Sequence, residues 1–167
     1  MKNTDHSNEN LYKELADLLP QTVFEMDSGG RFTFVNKHAL LLFGYSPEEV
    51  ENGLTALQMV VPEQRVLAAE NLRMSLKGES LGHEYTMVCK DGSTFPAIIH
   101  SSPIIRDGQP IGLRGIVVDI TGRKRVEQAL QESEQLLRSL VDNMLDATLI
   151  LDWSGNVLFA NNAAVKL

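Results

Sequence analysis

The spacing of apolar residues predicts a short amphipathic helix near the start of the chain. Leucines recur at helical intervals between residues 10 and 19 and share one face of a helix, which Pro20 would end. The residues on this face are Leu11, Leu15, Leu18 and Leu19. Residues 1–9 are polar and have no such period, so they are predicted to form a disordered tail. The predicted N-terminal cap helix over residues 10–19 therefore needs an apolar surface for its leucines.

Five later segments have the composition or the alternation of β-strands, and tight turns separate several of them. The segments are 22–26, 31–35, 83–90, 94–105 and 111–120. Helix starts lie between the second and third segments, at Asn36, Ser46 and Pro62. The order of these elements along the chain is two strands, then several helices, then three longer strands. This order predicts an α+β domain with one antiparallel sheet and helices over one of its faces.

The last predicted strand runs directly into a charged helix. Its apolar residues stop at Asp119-Ile120-Thr121, and helix formers follow over residues 122–139. Apolar positions then recur at intervals of four and three residues as a heptad seam, which consists of Val126, Leu130, Ser133, Leu137, Leu140 and Met144. The seam predicts a parallel dimeric coiled coil, and docking of the helix on its own domain is the alternative.

The start of the domain recurs after this helix. When the chain is aligned with itself at an offset of 125 positions, the two segments match without a gap. The match includes a turn aspartate, a turn glycine and a cap asparagine, together with the apolar alternation around them. The pairs are Asp27 with Asp152, Gly30 with Gly155, and Asn36 with Asn161. Residues 20–121 are therefore predicted to be one complete domain, and residues 140–167 the truncated start of a second domain of the same kind.

Composition and charge exclude several classes of function. The 167 residues are 43% hydrophobic and 22% charged, as in a soluble globular protein. No apolar run approaches the ~20 residues of a membrane span and no signal peptide is recognisable, which predicts a cytoplasmic chain without membrane contact. The net charge of −7 argues against nucleic-acid binding. The single cysteine, Cys89, excludes an internal disulfide.

Three motifs occur in an order and at a spacing that resemble the PAS domain, a small sensor module found in tandem ahead of histidine kinases, cyclases and chemoreceptors. They are Phe43-Gly44-Tyr45-Ser46-Pro47-Glu48-Glu49, Lys90-Asp91-Gly92-Ser93 followed by Phe95-Pro96-Ala97, and Asp119-Ile120-Thr121 followed by Arg123-Lys124. The resemblance implies the PAS fold, with a five-stranded antiparallel sheet in the order 2-1-5-4-3 and a cavity beneath its helices. It also implies an ion pair of Asp119 with a basic residue, here Arg123, which would fix the exit angle of the helix.

The resemblance and the strand alternation together indicate which side chains face the cavity. The predicted lining residues are His83, Tyr85, Ala97, Ile99, Ser101, Leu113, Gly115 and Val117. His83 and Tyr85 supply polar groups that would orient a ligand. Gly115 has two interpretations, because a missing side chain either admits a ligand to the sheet or accommodates helix packing. The predicted signalling junction consists of Asp119, Ile120, Thr121 and Arg123.

No cofactor is required by the sequence. Haem is disfavoured, because in haem-binding PAS sensors the proximal histidine lies on the long helix before the sheet, and residues 61–78 contain none. A covalent flavin photosensor is also disfavoured, because Cys89 lies on a later strand and outside the expected Asn-Cys-Arg motif. Non-covalently bound flavin remains open. No metal site and no catalytic motif is recognisable.

The chain is therefore predicted to be a non-enzymatic sensory module of a multidomain signalling protein, by family frequency a sensor histidine kinase. Ligand- or redox-dependent changes would pass through Asp119-Ile120-Thr121 to the following helix. The predicted partners are a small-molecule ligand, a downstream output domain and a second copy, bound through the N-terminal helix, the outer sheet face and the C-terminal helix. The N-terminal leucines alternatively cover that apolar outer face within one chain. The alternative functions are a ligand-free dimerisation and relay module, and a flavin- or haem-bearing redox or gas sensor.

Overall fold

A five-stranded antiparallel sheet forms the centre of the first of two units in the computed structural model, which describes residues 3–79 and 82–165. In chain order the strands are β1 (Thr22–Asp27), β2 (Phe32–Val35), β3 (His83–Val88), β4 (Thr94–Arg106) and β5 (Gln109–Asp119). In space they follow the order β2-β1-β5-β4-β3. The predicted α+β class and strand order are confirmed.

The helices begin close to the positions that the sequence indicates. In the first unit they are α1 (Asn3–Leu18), α2 (Lys37–Phe43), α3 (Pro47–Glu51), 3₁₀ turns at Ala56–Met59 and Pro62–Gln64, and α4 (Arg65–Leu76). Asn36 and Ser46 cap α2 and α3 through their side chains, as predicted. Gly44 ends α2 with a left-handed backbone, φ 75°, which glycine adopts without steric cost.

The hydrophobic core lies between the inner face of the sheet and the segments from α2 to α4. Its buried members from the strands are Phe24, Met26, Tyr85, Met87, Ala97, Leu113 and Val117. Phe43, Met59, Val60 and Ala68 complete the core from the helical side. Because β3 alternates its side chains, Tyr85 and Met87 enter this core together, which confirms the predicted inward face of that strand.

Helix α1 differs from its prediction in both length and orientation. Its helical backbone begins at Asn3, so most of the predicted tail over residues 1–9 is helical, while residues 1 and 2 lie outside the described ranges. The predicted leucine face does not pack on the sheet, since Leu15 is 55% and Leu18 79% exposed. Tyr12 packs against Phe34 instead, with ring centroids 5.8 Å apart. The leucines are therefore still available to another surface.

Asn36 joins the end of α1 to β1 and α2 through four hydrogen bonds of one buried side chain. Its Oδ1 accepts the backbone N–H groups of Val23 at 3.0 Å and Ala39 at 3.1 Å. Its Nδ2 donates to the carbonyl groups of Ala16 and Gln21, both at 2.8 Å. The side chain is fully buried, and all four of its amide positions have partners, so it fixes the chain entering the domain.

The second unit repeats this arrangement on a smaller scale. Its elements are α5 (Thr121–Asp142), which begins at the last residue of the first unit, β6 (Leu149–Leu151), β7 (Val157–Ala160) and α6 (Asn162–Val165). β6 and β7 form an antiparallel hairpin, as β1 and β2 do. The predicted remnant over residues 140–167 thus has the expected elements, and its last two residues lie outside the described ranges.

Asn161 makes the same four hydrogen bonds as Asn36, each with partners 125 positions later. Its Oδ1 accepts the N–H groups of Thr148 and Ala164, both at 2.9 Å. Its Nδ2 donates to the carbonyl groups of Val141 at 3.0 Å and Asp146 at 2.9 Å. The repeat therefore extends from the sequence to individual hydrogen bonds. The end of α5 occupies the place in the second unit that the end of α1 occupies in the first.

None of the helices within the described ranges has the length and apolar composition that crossing a bilayer requires.

Candidate ligand cavity and output junction

A cavity of about 60 Å³ lies between α4 and the inner face of the sheet. Five of the eight residues predicted to line a cavity meet in it: His83, Tyr85, Ile99, Ser101 and Leu113. The rest of the wall comes from β1, from α4 and from the segment of the first 3₁₀ turn, with Phe24, Met26, Ala56, Leu57 and Val60 among its residues. These five residues lie on three strands, β3, β4 and β5, and meet because every second side chain of a strand faces the same way.

Two buried polar side chains, Asn71 and Tyr85, are hydrogen-bonded to each other in this wall. The Nδ2 group of Asn71 donates to the hydroxyl oxygen of Tyr85 at 2.7 Å. Burial raises the pKa of the Tyr85 hydroxyl above its ordinary value, and the Asn71 hydrogen bond opposes that effect. Tyr85 is therefore neutral at physiological pH and keeps its proton, so the hydroxyl is available as a hydrogen-bond donor.

His83 adds a third polar group at the cavity. Its Nε2 atom is buried and has no hydrogen-bond partner among the described residues. The His83 and Tyr85 rings lie on the same face of β3, with centroids 6.3 Å apart. A buried nitrogen without a partner is unfavourable in an apolar wall, because the group has lost its hydrogen bonds to water. This side of the cavity therefore has unused capacity for hydrogen bonding.

The helix α4 contributes polar residues that the sequence did not predict. In the sequence, apolar residues at helical spacing predict a buried face formed by Val66, Ala69, Leu72 and Leu76. Val66 is 74% exposed, whereas Ala68, Asn71 and Ser75 are the residues that α4 buries. The signal in the sequence for this buried face is the helical spacing of positions 68, 71 and 75. This spacing places three short side chains on one side of α4, where the helix can approach the sheet closely.

Three of the predicted lining residues lie elsewhere. Ala97 is fully buried in the core opposite Tyr85, and Val117 lines a separate, apolar cavity of about 30 Å³ under α2. At Gly115, a Cβ atom would collide with the backbone of His100 and lie 2.9 Å from the Phe24 ring. The missing side chain of Gly115 therefore allows β4 and the Phe24 ring to pack closely against this strand.

The output junction is held by Asp119, but not through the predicted ion pair. The Oδ1 atom of Asp119 accepts the backbone N–H of Thr121 at 2.7 Å, at the first residue of α5. Ile120 is buried and donates its N–H to the carbonyl of Pro96 at 3.0 Å. No ion pair joins Asp119 to Arg123 in the described part of the chain. A local turn satisfies this exposed carboxylate instead, as short aspartate side chains commonly do.

The residues of this cavity do not fit a haem or a flavin. Pockets for drug-sized ligands measure ~300–1,000 Å³, and the rings of haem and flavin belong to that size class. The cavity measures about 60 Å³ and is enclosed by core side chains. In addition, α4 carries no histidine that could act as an axial ligand.

Within the described residues, no three or more His, Cys, Asp or Glu side chains cluster in a way that could hold a metal ion.

Comparison with known proteins identifies the family. The family model for the PAS domain matches residues 20–122, and a second PAS domain model matches residues 135–167. The chain therefore belongs to the PAS domain family, and a second PAS domain match follows the first. Both matches agree with the repeat seen in the sequence and in the hydrogen bonds.

Curated relatives place such domains in signalling proteins. The chain is 23% identical over 157 residues to sporulation kinase A of Bacillus subtilis, covering 93% of this chain and 25% of that protein. It is 26% identical over 133 residues to the probable diguanylate cyclase DgcE of Escherichia coli, covering 79% of this chain and 12% of that protein. The chain thus spans a quarter or less of these relatives. It is homologous to PAS domains of sensor kinases, and its role is that of a signalling sensor.

Solved structures share the fold at low sequence identity. The PAS domain of a protein from Colwellia psychrerythraea superimposes with a TM-score of 0.62 at 23% identity, over 69% of this chain and 98% of that one. A domain of the sensory box sensor histidine kinase/response regulator from Geobacter sulfurreducens gives 0.58 at 23%, over 71% and 100%. These likenesses support the fold.

Proposed function

We propose that this chain senses a ligand in the cavity beneath α4 and passes the change through Asp119-Ile120-Thr121 to α5. The parent protein is proposed to be a sensor histidine kinase, because sporulation kinase A aligns over 93% of the chain. A relative named as a cyclase also aligns, so the module suits different output domains. The output chemistry then belongs to parts of the parent outside residues 1–167.

The observation that carries this proposal is that the cavity and the junction share two strands. Leu113 lines the cavity, and Asp119 ends the same strand, β5. In the neighbouring strand β4, Ser101 lines the cavity and Ala97 lies opposite Asp119. A guest that changes the spacing between α4 and the sheet would displace these strands. The first residues of α5 would then move with Asp119, provided that the guest binds the two arrangements with different affinities.

A second copy of the chain is the proposed partner. The exposed leucines of α1 and the heptad seam of α5 are both apolar and remain accessible, with Leu18 79% and Leu130 60% exposed. On the outer sheet face, Ile98, Ile116 and Val118 are only partly buried. Pairing two copies through α1, this face and α5 would cover all three surfaces, and the spacing along α5 suits a parallel coiled coil.

The small volume of the cavity favours a second candidate, a relay that binds no ligand. A relay of this kind requires that core side chains such as Phe34, Leu41, Met59 and Tyr85 occupy the space beneath the helices. Tyr85 and Met59 are buried in the core, whereas Leu41 is 82% exposed and Phe34 packs against Tyr12. In a relay, dimer packing alone would set the conformation of α5.

The proposed coupling can be tested by filling the cavity. Ser101→Val places two methyl groups beside α4 and should change the hydrogen-exchange rate of the Thr121 amide by fivefold or more, because strain in β4 reaches the bond to Asp119. The matched control is Ser102→Val, whose side chain lies on the exposed outer face of the same strand. Exchange at Thr121 that is equal in wild type and both variants would contradict the coupling and leave the ligand-free relay.

A further inference from the structure

We propose that the cavity beneath α4 takes a small, uncharged molecule that carries both a hydrogen-bond acceptor and a hydrogen-bond donor, as a short carboxamide does. This inference rests on the proposed sensory function and specifies its ligand. It follows from three properties of the cavity: its volume, the absence of aspartate, glutamate, lysine and arginine from its wall, and the hydrogen bonds that its polar groups still lack.

The volume limits the guest to a few atoms. One water-sized group needs ~10–15 Å³ on this scale, so about 60 Å³ holds roughly four to six such groups. An engineered cavity of ~150 Å³ is large enough for benzene, and the present cavity is well below that size. Aromatic ligands and cofactors are therefore excluded without rearrangement of α4, whereas a molecule of about four non-hydrogen atoms fits.

The composition of the wall excludes charged guests. None of the residues that line the cavity is an aspartate, glutamate, lysine or arginine. A carboxylate, phosphate or ammonium group would lose its hydration there, and the wall has no permanently charged side chain to pair with it, which is strongly unfavourable. The wall is mainly apolar, with Leu72, Ile99 and Leu113 among its side chains, and suits a short alkyl group.

The polar groups require an acceptor and a second hydrogen-bonding atom in the guest. Because the Tyr85 oxygen already accepts from Asn71, its own proton is free to be donated to a carbonyl oxygen. The buried Nε2 of His83 needs a partner of its own, and a neutral imidazole nitrogen can accept from an N–H or O–H group. A carboxamide offers the carbonyl oxygen to Tyr85 and the amide N–H to His83.

Three molecules of the same shape test this inference: acetamide, acetone and acetate. They are titrated into the full chain with isotope-labelled methyl groups, and the signals of Leu113 and Ile99 are followed by NMR. Acetamide should shift both signals saturably, acetone should bind more weakly because it lacks a donor, and acetate should leave them unchanged. Tyr85→Phe should weaken acetamide binding about fivefold, as expected for the loss of one hydrogen bond.

The matched control is Tyr45→Phe, which removes a hydroxyl beside the separate cavity under α2 and should leave acetamide binding unchanged. Equal binding of acetate, unchanged affinity in Tyr85→Phe, or the absence of any shift with acetamide would overturn the inference; in the last case the cavity holds ordered water only. The proposed coupling is judged separately, because Ser101→Val tests it without any guest.

Discussion

Asn36 shows how one residue can decide where a domain begins. Four backbone groups from three elements reach its side chain, and none of its polar atoms contacts solvent. Replacing it would leave buried N–H and carbonyl groups without partners, each of which costs about 1–3 kcal/mol. The N-cap of α2 would be lost at the same time.

We therefore expect Asn36→Ala to lower the free energy of unfolding of the first unit by about 3 kcal/mol. Asn161→Ala is the matched control, because it removes the same four bonds from the second unit. It should leave the first unit's unfolding transition in place. Chemical denaturation followed by exchange of the Val23 and Ala39 amides measures both effects. A loss below 1 kcal/mol for Asn36→Ala would show that water replaces the side chain.

The polar groups of the cavity divide into those that the sequence could and could not reveal. His83 and Tyr85 were predictable, because alternate residues of a strand point to the same face of the sheet. That alternation alone determines the face to which each of the two side chains points. Asn71 was not predictable, because apolar periodicity identifies only apolar positions, and a polar residue on the buried side of α4 carries no such signal. Its hydrogen bond to Tyr85 becomes visible only once α4 lies against the sheet.

At the scale of elements, α1 and α5 show what apolar periodicity can predict. It shows which residues lie on one face of a helix, but not the surface against which that face packs. The leucine period correctly indicated a helix in α1, yet the residue that packs on the sheet is Tyr12 and the fully buried one is Ala16. Bonds from Asn36 and Asn161 set how each helix ends, and these bonds fall between residues 15 or more positions apart. Local periodicity cannot encode such distant contacts.

The junction offers a prediction about the start of α5. Asp119→Ala removes the acceptor of the Thr121 N–H and should fray the first turn, at a cost of about 1 kcal/mol. Asp119→Asn retains an oxygen at this position and should behave like wild type. Arg123→Ala should also be silent, because no ion pair links it to Asp119 in the described residues.

Exchange rates of the amides in the first turn of α5 distinguish these variants. Faster exchange in Asp119→Ala alone would support the local turn. If Asp119→Ala and Arg123→Ala accelerate exchange equally, the result would instead support the ion pair that the family resemblance implies. That pair would then form in a conformation other than the one seen in the structure.

At the scale of the whole molecule, the sequence predicted topology well and surfaces poorly. The resemblance to the PAS family implied the strand order 2-1-5-4-3, which the sheet has, and the offset of 125 residues indicated the second unit. The preference of the hairpin-loop residues for turns depends on local sequence, so the hairpins can be recognised without knowledge of the rest of the fold. The size of the cavity depends on the packing of residues from six elements, which no single segment of sequence contains.

The central claim is that the state of the cavity sets the pairing of α5 between two copies of the chain. The most direct measurement is the interchain distance between spin labels at position 135, introduced by Gln135→Cys in a Cys89→Ser background. A single narrow distance is expected, and Ser101→Val should shift it while Ser102→Val does not. Leu130→Lys, which places a charge in the seam, should abolish it. The absence of an interchain distance, or one unaffected by Ser101→Val, would contradict the claim.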